Sequence, residues 1–338
     1  MRFLVTGATG GLGRNAVEWL IQEGYEVHAT GRNQQIGNEL KLLGAKFTAL
    51  DLTNATDQDF QQLLTNCDVV WHCAAHSSPW GKYQLFYQSN TKITSQIAQW
   101  AGKLGVKRFI HISTPSIYFD FEHHQDIHEN FIAKNFANNY VKTKYAAELI
   151  IHQCVHLYPT TTFTIIRPRG IFGPYDQTII PRILSQIKLK AGKLHLPAGG
   201  QAYIDLTFVL NVVYALYLAS INSNLKSGEI FNITNQEPIK LSKVLNTLLK
   251  DQLNIQYQLC TVPFSLLYGI AYIQEVIASI TQKEPHLTRY SVGVLYFDMT
   301  LNQDRAKQQL GYKPLYSLEQ GIEITANWLR QNGVPENG

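Results

Sequence analysis

Short apolar runs alternate with longer amphipathic stretches along the first half of the chain. Six of the apolar runs predict strands. They are RFLV (2–5), EVHAT (26–30), KFTAL (46–50), DVVWHC (68–73), RFIHIS (108–113) and FTIIR (163–167). The stretches between them have helical spacing at 11–23, 57–65, 84–103 and 139–157. This alternation predicts an α/β fold with a doubly wound parallel sheet, whose ligand lies at the carboxyl ends of the strands.

The pattern changes after residue 170. Segment 171–202 contains several Pro and Gly residues, 206–221 has a helical pattern, and GEIFNIT (228–234) predicts one more strand. We therefore expect a first domain over residues 1–170. A smaller mixed lobe is expected over residues 171–338, in which 204–235 returns to the first domain.

Composition excludes several classes of partner and site. Hydrophobic residues make up 45% of the chain, which is enough for an ordinary core, and the net charge is +4 without a polybasic run, so we expect no nucleic-acid partner. The four cysteines, which form no C-x-x-C pair, are expected to be reduced thiols. The first apolar run is shorter than a secretory signal, and no uninterrupted run reaches transmembrane length. We expect a cytoplasmic protein.

Three glycines separate the first strand from the first helix in VTGATGGLGR. Gly7 permits a tight turn, Gly10 allows the backbone to approach a pyrophosphate, and Gly13 allows close packing of the helix on the sheet. The backbone N–H groups of Gly11 and Leu12 would then face the phosphate charge at the helix N-terminus. A simple tight turn is the alternative, but the position at the first strand favours a dinucleotide site.

The G-x-x-G-x-x-G spacing resembles the extended branch of the short-chain dehydrogenase/reductase superfamily, and the resemblance covers nearly the whole chain. It implies a Rossmann domain over residues 1–170 and a substrate lobe beyond it. The acidic position after the third strand is Asp51, which would bind the adenine amino group. Further cofactor contacts that the resemblance implies are Leu52, Cys73, Ala74, Ala75, Asn90, Ser113, Pro168 and Arg169.

The segment NNYVKTKYAAEL predicts a helix start with Tyr140 and Lys144 one turn apart on one face. A lone Tyr-x-x-x-Lys decides little in a chain with 18 tyrosines. The family resemblance, however, expects a hydroxyl after the fifth strand and then this pair, and Thr114 in HISTPSIY supplies the hydroxyl. Ser113 and Ser116 are the alternatives to Thr114.

The resemblance implies a catalytic role for Tyr140, Lys144 and Thr114. A phenol with a pKa near 10 is protonated at neutral pH, and a nearby ammonium together with the oxidised nicotinamide should lower that pKa. Tyr140 would then act as general acid or base, Thr114 would bind the same substrate oxygen, and Lys144 would also hold the nicotinamide ribose.

The end of the second strand predicts the choice of nucleotide. A site that selects NAD usually has a carboxylate there, whereas this chain has Gly31 followed by Arg32. Because a guanidinium binds a 2′-phosphate, NADP(H) is favoured, with Arg14 assisting from the first helix. The alternative is that Arg32 is a solvated loop residue and NAD(H) is used. For Arg169, a substrate contact and an ion pair between the domains stay open.

Two further segments have alternative interpretations. FEHHQDIHEN (121–130) holds His124 and His128 with nearby carboxylates, but its place before the catalytic helix favours substrate-facing residues, so no metal site is expected. The apolar stretch 262–280 is either a buried helix of the lobe, a wall of an apolar pocket or a weak contact with a membrane surface.

The C-terminal segments 287–295 and 310–329 resemble the 3β-hydroxysteroid dehydrogenase-like subgroup, which includes sterol dehydrogenases and reductases of 2-alkyl-3-oxo acids. The leading hypothesis is thus an NAD(P)-dependent oxidoreductase that interconverts a secondary alcohol and a ketone on a lipophilic, sterol-like or long-chain 3-oxo or 3-hydroxy substrate. The alternatives are a nucleotide-sugar epimerase or dehydratase and a non-catalytic regulatory protein that binds NAD(P). A homodimer is also left open.

Overall fold

The structure is a computed structural model that describes residues 1–333. In chain order its strands are β1 (Arg2–Thr6), β2 (Glu26–Gly31), β3 (Lys46–Ala49), β4 (Val69–His72), β5 (Arg108–Ile112), β6 (His124–Ile127), β7 (Thr162–Pro168), β8 (Ile171–Phe172), β9 (Lys193–Pro197), β10 (Tyr203–Ile204), β11 (Thr207–Phe208), β12 (Glu229–Ile233), β13 (Ile239–Lys240), β14 (Gln258–Val262) and β15 (Met299–Leu301).

The helices follow the same order. They are α1 (Gly11–Gln22), α2 (Gln34–Leu42), α3 (Asp57–Leu64), α4 (Tyr83–Phe86), α5 (Ile93–Lys103), α6 (Asn139–Leu157), α7 (Ile180–Leu189), α8 (Val209–Ile221), α9 (Leu241–Leu245), α10 (Phe264–Thr281), α11 (Arg289–Val294) and α12 (Leu318–Asn332). A π-helical segment, Tyr87–Lys92, joins α4 to α5.

Seven strands form one parallel sheet in the order β12-β7-β5-β4-β1-β2-β3. The predicted doubly wound fold is confirmed. The chain runs outward from β1 to β3 on one side and from β4 to β12 on the other, so the strand order reverses between β1 and β4. In such sheets the crevice at this point, beyond the carboxyl ends of the strands, holds the ligand.

Both faces of this sheet are covered, which explains the apolar runs in the sequence. Phe3 and Val5 point into a core shared with α1 and α8, whereas Leu4 between them joins the core on the opposite face. That second core also contains Phe109 and Phe163 from the next strands. Alternate residues therefore serve opposite layers, and most residues in the middle of the strands are apolar.

The smaller lobe has its own core and its own short sheets. Leu194, Leu245 and Leu249 lie in a cluster that α12 completes with Ile322 and Ala326. A second sheet in the order β13-β10-β15-β6 joins the lobe to the loop that precedes α6. Strand β6 was not predicted, because its residues are mostly polar.

Candidate active site

The glycine turn brings β1, α1 and the end of β4 into close contact. Gly7 has a φ of 65°, and a Cβ on it would lie 2.8 Å from the backbone of Ala74. A Cβ on Gly13 would lie 2.2 Å from the carbonyl oxygen of Gly7, and the N–H of Gly10 donates to that oxygen at 3.0 Å. Larger residues at Gly7 and Gly13 would push α1 away from the sheet. The turn keeps the start of α1 at the crevice.

A later loop also reaches this turn, which sequence reasoning missed. A Cβ on Gly11 would lie 2.8 Å from the carbonyl oxygen of Tyr175, and the Asn15 amide donates to the carbonyl oxygen of Pro174 at 2.9 Å. The backbone after β8 therefore lies beside the first turn of α1, where Leu12 is half-buried.

The end of β2 has no room for a carboxylate. A Cβ on Gly31 would lie 2.7 Å from the side-chain oxygen of Thr9. Arg32 is exposed, and the salt bridges among residues 1–333 do not include it. Arg14, which was expected to assist Arg32 in binding the 2′-phosphate, forms ion pairs with Glu18 at 3.0 Å and Glu39 at 2.7 Å. Helices α1 and α2 thus bring two carboxylates to Arg14, and its assistance to Arg32 stays a prediction.

Asp51 and Asn90 differ in whether their side chains keep a polar atom available for a ligand. One oxygen of Asp51 accepts from the N–H and hydroxyl of Thr53, and these bonds lower the pKa of the Asp51 carboxyl, with a smaller contribution from Arg32. Asn90 is buried and bonds to both backbone groups of His76, and also donates to Thr143. Asn90 therefore positions the turn 72–76 rather than presenting a free amide. In this turn Cys73 and Ala74 are half-buried, and Ala75 is exposed.

Helix α6 begins where the sequence predicted. The side chain of Asn138 caps it by accepting from the Val141 N–H at 3.0 Å. One turn on, Lys144 is buried, and its ammonium donates to the Ile112 carbonyl and lies 3.2 Å from Nε2 of His111. Burial lowers the pKa of Lys144 to about 8, although Glu148 opposes this shift.

The pKa of Tyr140 differs from the expectation. Burial raises it to about 12, while hydrogen bonds with Thr114 and Ser77 act in the opposite direction. The ammonium of Lys144 is bonded to the end of β5 and not to the phenol. In the chain alone, Tyr140 is therefore a protonated phenol, ready to donate a hydrogen bond or a proton.

Two buried histidines lie behind Lys144, and sequence reasoning did not single them out. His72 bonds to Thr6 at 2.8 Å and to Thr94 at 3.0 Å, and burial lowers the pKa of His72 to about 3. His111 stacks on His72, and burial together with Lys144 holds the pKa of His111 well below its ordinary value. A neutral His111 can accept a hydrogen bond from the ammonium of Lys144.

A line of hydroxyl groups leads from Tyr140 into the smaller lobe. Thr114, which contacts Tyr140, donates to Ser116 at 3.0 Å, and the Ser116 oxygen lies 2.7 Å from the hydroxyl of Tyr290. Tyr290 belongs to α11 and was missed. The sequence of segment 287–295 resembles a subgroup of the family, but no local pattern marks this tyrosine. The site is therefore built from both parts of the chain.

A buried ion pair fastens α6 to β7 below this site. The guanidinium of Arg167 binds both carboxylate oxygens of Glu148, one of them at 2.8 Å, and donates to the hydroxyl of Tyr118 at 2.6 Å. Burial disfavours the charge, yet Glu148 and Tyr118 outweigh it and hold the pKa of Arg167 above its ordinary value. Glu148 is one turn beyond Lys144 on α6. By fixing this part of α6 against β7, the ion pair also fixes where Lys144 lies relative to the sheet.

Two buried polar atoms near the strand ends lack partners within residues 1–333. They are the hydroxyl oxygen of Ser113 and Nε of Arg169, which directly follows Pro168 at the end of β7. Buried polar groups are nearly always hydrogen-bonded, so a ligand with several polar atoms fits here. With the glycine turn at the same edge, these residues fit a dinucleotide. The salt bridges of the described residues do not include Arg169, and burial lowers its pKa, with Tyr290 and Asp205 opposing.

A cavity of about 880 Å³ opens beside α6, α10 and α11. Its wall contains aromatic side chains, among them Trp80, Phe86, Phe121, Phe136, Tyr268 and Tyr290. Charged groups are also present, but Arg289 pairs with Glu275 at 2.6 Å and His124 bonds to Asp120 at 2.9 Å. Lys134 lies in the loop before α6 and Lys142 lies on α6, so both cations come from the first domain and not from the smaller lobe.

The stretch 262–280, which was expected to form a wall of the pocket, does so only in part. Tyr268 and Glu275 line the cavity, whereas Leu266, Ile270 and Ile273 on the same helix are exposed to solvent.

The histidine-rich loop does not bring the suspected metal ligands together. The Glu129 carboxylate accepts from the N–H of Asn232 at 3.0 Å, inside the protein. A different set, Asp120, Glu122 and His124, has ligand atoms within 4.8 Å of one another. The hydrogen bond between Asp120 and His124 accounts for that proximity.

Residues 3–234 match the model of the NAD dependent epimerase/dehydratase family. The chain belongs to this family. It is 44% identical over 335 residues to the Uncharacterized protein YbjS of Escherichia coli (strain K12), covering 98% of this chain and 99% of that one. It is 30% identical over 336 residues to 2-alkyl-3-oxoalkanoate reductase of Shewanella oneidensis, covering 94% and 84%.

A solved structure, UDP-glucuronic acid 4-epimerase from Bacillus cereus in complex with NAD, has the same fold, with a TM-score of 0.78, 21% identity and 99% coverage of both chains. The protein is thus an enzyme of the NAD-dependent epimerase/dehydratase superfamily, with oxidoreductase chemistry.

Proposed function

We propose that the protein reduces a ketone, or oxidises the matching secondary alcohol, on a lipophilic substrate with NADP(H). The observation that carries the proposal is the line of hydroxyls from Tyr140 through Thr114 and Ser116 to Tyr290, beside an aromatic cavity. A substrate oxygen between Tyr140 and Thr114 would receive a hydrogen bond from Tyr140, and a second from Thr114 when its hydroxyl turns from Ser116 to the substrate. The bound dinucleotide would supply or accept the hydride.

Tyr140, Thr114 and Lys144 would have separate roles in the reaction. Tyr140 would donate its proton to the carbonyl oxygen during reduction, and its raised pKa keeps that proton in place at neutral pH. Thr114 would position the same substrate oxygen through a hydrogen bond. Lys144, anchored by the end of β5, would donate to the ribose of the dinucleotide. Below a pH of about 8 Lys144 is charged, which strengthens that bond to the ribose.

The dinucleotide would lie across the edge where β1, β4 and β5 end. The glycine turn would take the pyrophosphate, Asp51 the adenine, and Ser113 and Arg169 the groups beyond it. Preference for the 2′-phosphate would come from the exposed guanidinium of Arg32, while Gly31 before it supplies no carboxylate to repel that phosphate.

This assignment predicts tighter binding of NADPH than of NADH. Replacing Arg32 with Ala should remove most of the difference, because a charge-assisted bond to phosphate contributes about 1.5–3 kcal/mol, or roughly 10- to 100-fold in affinity. Isothermal titration calorimetry with both nucleotides measures it without any substrate.

Lys41→Ala is the matched control, because Lys41 is an exposed cation on the neighbouring helix α2. It should leave the ratio of the two affinities unchanged. Equal affinities of the unaltered protein for NADPH and NADH would show that Arg32 is only a solvated loop residue.

The aromatic wall supports a lipophilic substrate. A relative is named for reducing a 2-alkyl-3-oxoalkanoate, a molecule with an alkyl chain beside the reacting carbonyl. Long-chain 3-oxo or 3-hydroxy compounds and sterol-like compounds share that character. Nucleotide sugars remain the second candidate, and Lys134 and Lys142 favour them, since both cations lie at the cavity and could hold a diphosphate.

A series of 3-oxo compounds of increasing chain length distinguishes the two candidates. Each added methylene that is buried contributes about 0.8 kcal/mol, so kcat/KM should rise roughly fourfold per methylene until the cavity is filled. The absorbance of the reduced nicotinamide follows turnover.

UDP- and dTDP-sugars are assayed beside the series. Turnover of the sugars alone, or a kcat/KM that stays flat with chain length, would disprove the lipophilic assignment. Nucleotide binding without turnover of either group would indicate a regulatory protein.

A further inference from the structure

Helix α10 exposes an apolar face that the cavity does not use. Seven large apolar side chains of this helix are exposed, with exposed fractions such as 59% for Ile273 and 78% for Ile280. At 3.6 residues per turn they occupy an arc of about 160°. We call them the outer face; its members are Leu266, Ile270, Tyr272, Ile273, Val276, Ile277 and Ile280. Soluble monomers rarely leave such a continuous patch in water.

The inner side holds the helix on the protein. Ala271 and Ala278 are buried, and the Glu275 carboxylate accepts from the N–H of Arg289 at 2.8 Å and pairs with its guanidinium. Gln274 adds a bond from the N–H of Leu287 at 3.0 Å. The outer face is therefore presented by a helix fixed on its opposite side.

Length and composition would allow α10 to cross a membrane, and only 17% of it is buried within the protein. Crossing would carry Glu275 and its partner into hydrocarbon or break their pair, and charged groups are costly there. Lying flat on a bilayer keeps the pair on the protein side and places only the outer face among lipids.

We propose that the outer face docks the protein on a phospholipid membrane surface. A bilayer fits this face better than a second copy of the chain does. No charged residue of α10 lies within it, and Gln274 and Thr281 beside it are uncharged. The one cation against it in the described residues, Arg289 over the ring of Tyr272, is already paired with Glu275, so the face offers little to select a partner helix. A stable dimer buries about 800 Å² per partner, more than a helix about 27 Å long offers to another helix.

The other side of the same helix supports this choice. Tyr268 of α10 lines the cavity, so docking would bring the cavity close to the bilayer. A lipophilic substrate could then pass between membrane and cavity with little exposure to water. This last step rests on the proposed function, whereas docking itself does not.

Vesicle binding tests the docking. The purified full chain is centrifuged with phosphatidylcholine vesicles, without nucleotide or substrate, and the bound fraction is measured. Ile273→Asp and Ile277→Asp should each weaken the partition about tenfold, and the double variant about a hundredfold. Leu42→Asp is the matched control, since Leu42 is 89% exposed on α2, away from α10, and should not change the partition. Added salt should change binding little, because apolar burial drives it.

Three results would overturn the proposal. They are a wild-type protein that stays in the supernatant, Asp variants that bind as well as wild type, and a light-scattering mass that falls from dimer to monomer in the Asp variants. The last would assign the outer face to a second copy. Turnover of a short, water-soluble 3-oxo compound should be unchanged in Ile273→Asp and Ile277→Asp. Failure of the chain-length series would leave the vesicle result standing, so the two proposals fail separately.

Discussion

Tyr140→Phe should lower kcat about a thousandfold while nucleotide affinity stays nearly unchanged. The substitution removes the proton donor and almost no volume, and general acid catalysis contributes roughly 10²- to 10⁴-fold. Because phenylalanine keeps the ring that packs beside Phe86, the fold should persist. Single-turnover absorbance at saturating nucleotide gives the rate, and calorimetry gives the affinity.

Tyr145→Phe is the matched control. Tyr145 lies on the same helix and packs on Phe136, so it reports any general effect of losing a tyrosine hydroxyl from α6. It should retain near-normal kcat, as should Thr114→Ser, which keeps the hydroxyl. A Tyr140→Phe variant with near-normal turnover would place the proton donor elsewhere.

Arg167→Met should destabilise the fold by about 3–5 kcal/mol. Both Arg167 and Glu148 are 1% exposed, so removal of the arginine leaves a buried carboxylate without its cation. The hydroxyl of Tyr118 and the carbonyl of Glu129 lose a donor as well. The midpoint of urea unfolding, followed by fluorescence, measures the change.

Two variants show that the loss comes from the unpaired charge. The double variant Arg167→Met/Glu148→Leu removes both charges and should regain at least half of the lost stability. Arg2→Met removes an arginine from an exposed pair with Glu26 and should cost less than about 1 kcal/mol. If Arg167→Met matched Arg2→Met, the buried pair would contribute nothing particular to holding α6 on β7.

The strands of the main sheet were predictable because most of them are covered on both faces. RFLV lies within β1, and GEIFNIT contains β12, the edge strand next to β7. Strand β6 gave no such signal. Its residues His124, Gln125 and Asp126 are polar, and it pairs with β15, which lies far along the chain. Periodicity reports burial, so a polar strand with a distant partner escapes it.

The stretch 262–280 could not be assigned from its residues. Large apolar side chains occur on nearly every side of the helix, so no period indicates which side is buried. The structure shows that Ala271, Glu275 and Ala278 face the protein and Ile273 and Ile277 face outward. The small and charged residues are inside and the large apolar ones outside, which reverses the usual arrangement.

Sequence alone determined the strands of the main sheet, the glycine turn and the helical spacing of Tyr140 and Lys144, since each depends on residues within a few positions of one another. The parallel pairing of those strands followed from their alternation with helices. Tertiary structure alone decided the rest of the site. Ser116 meets Tyr290 across 174 positions, and Glu148 meets Arg167 from a different element. It also decided the pKa of Tyr140, because desolvation depends on which atoms from distant segments displace water around the phenol. Such contacts follow from how the two parts of the chain pack, and no local pattern encodes them.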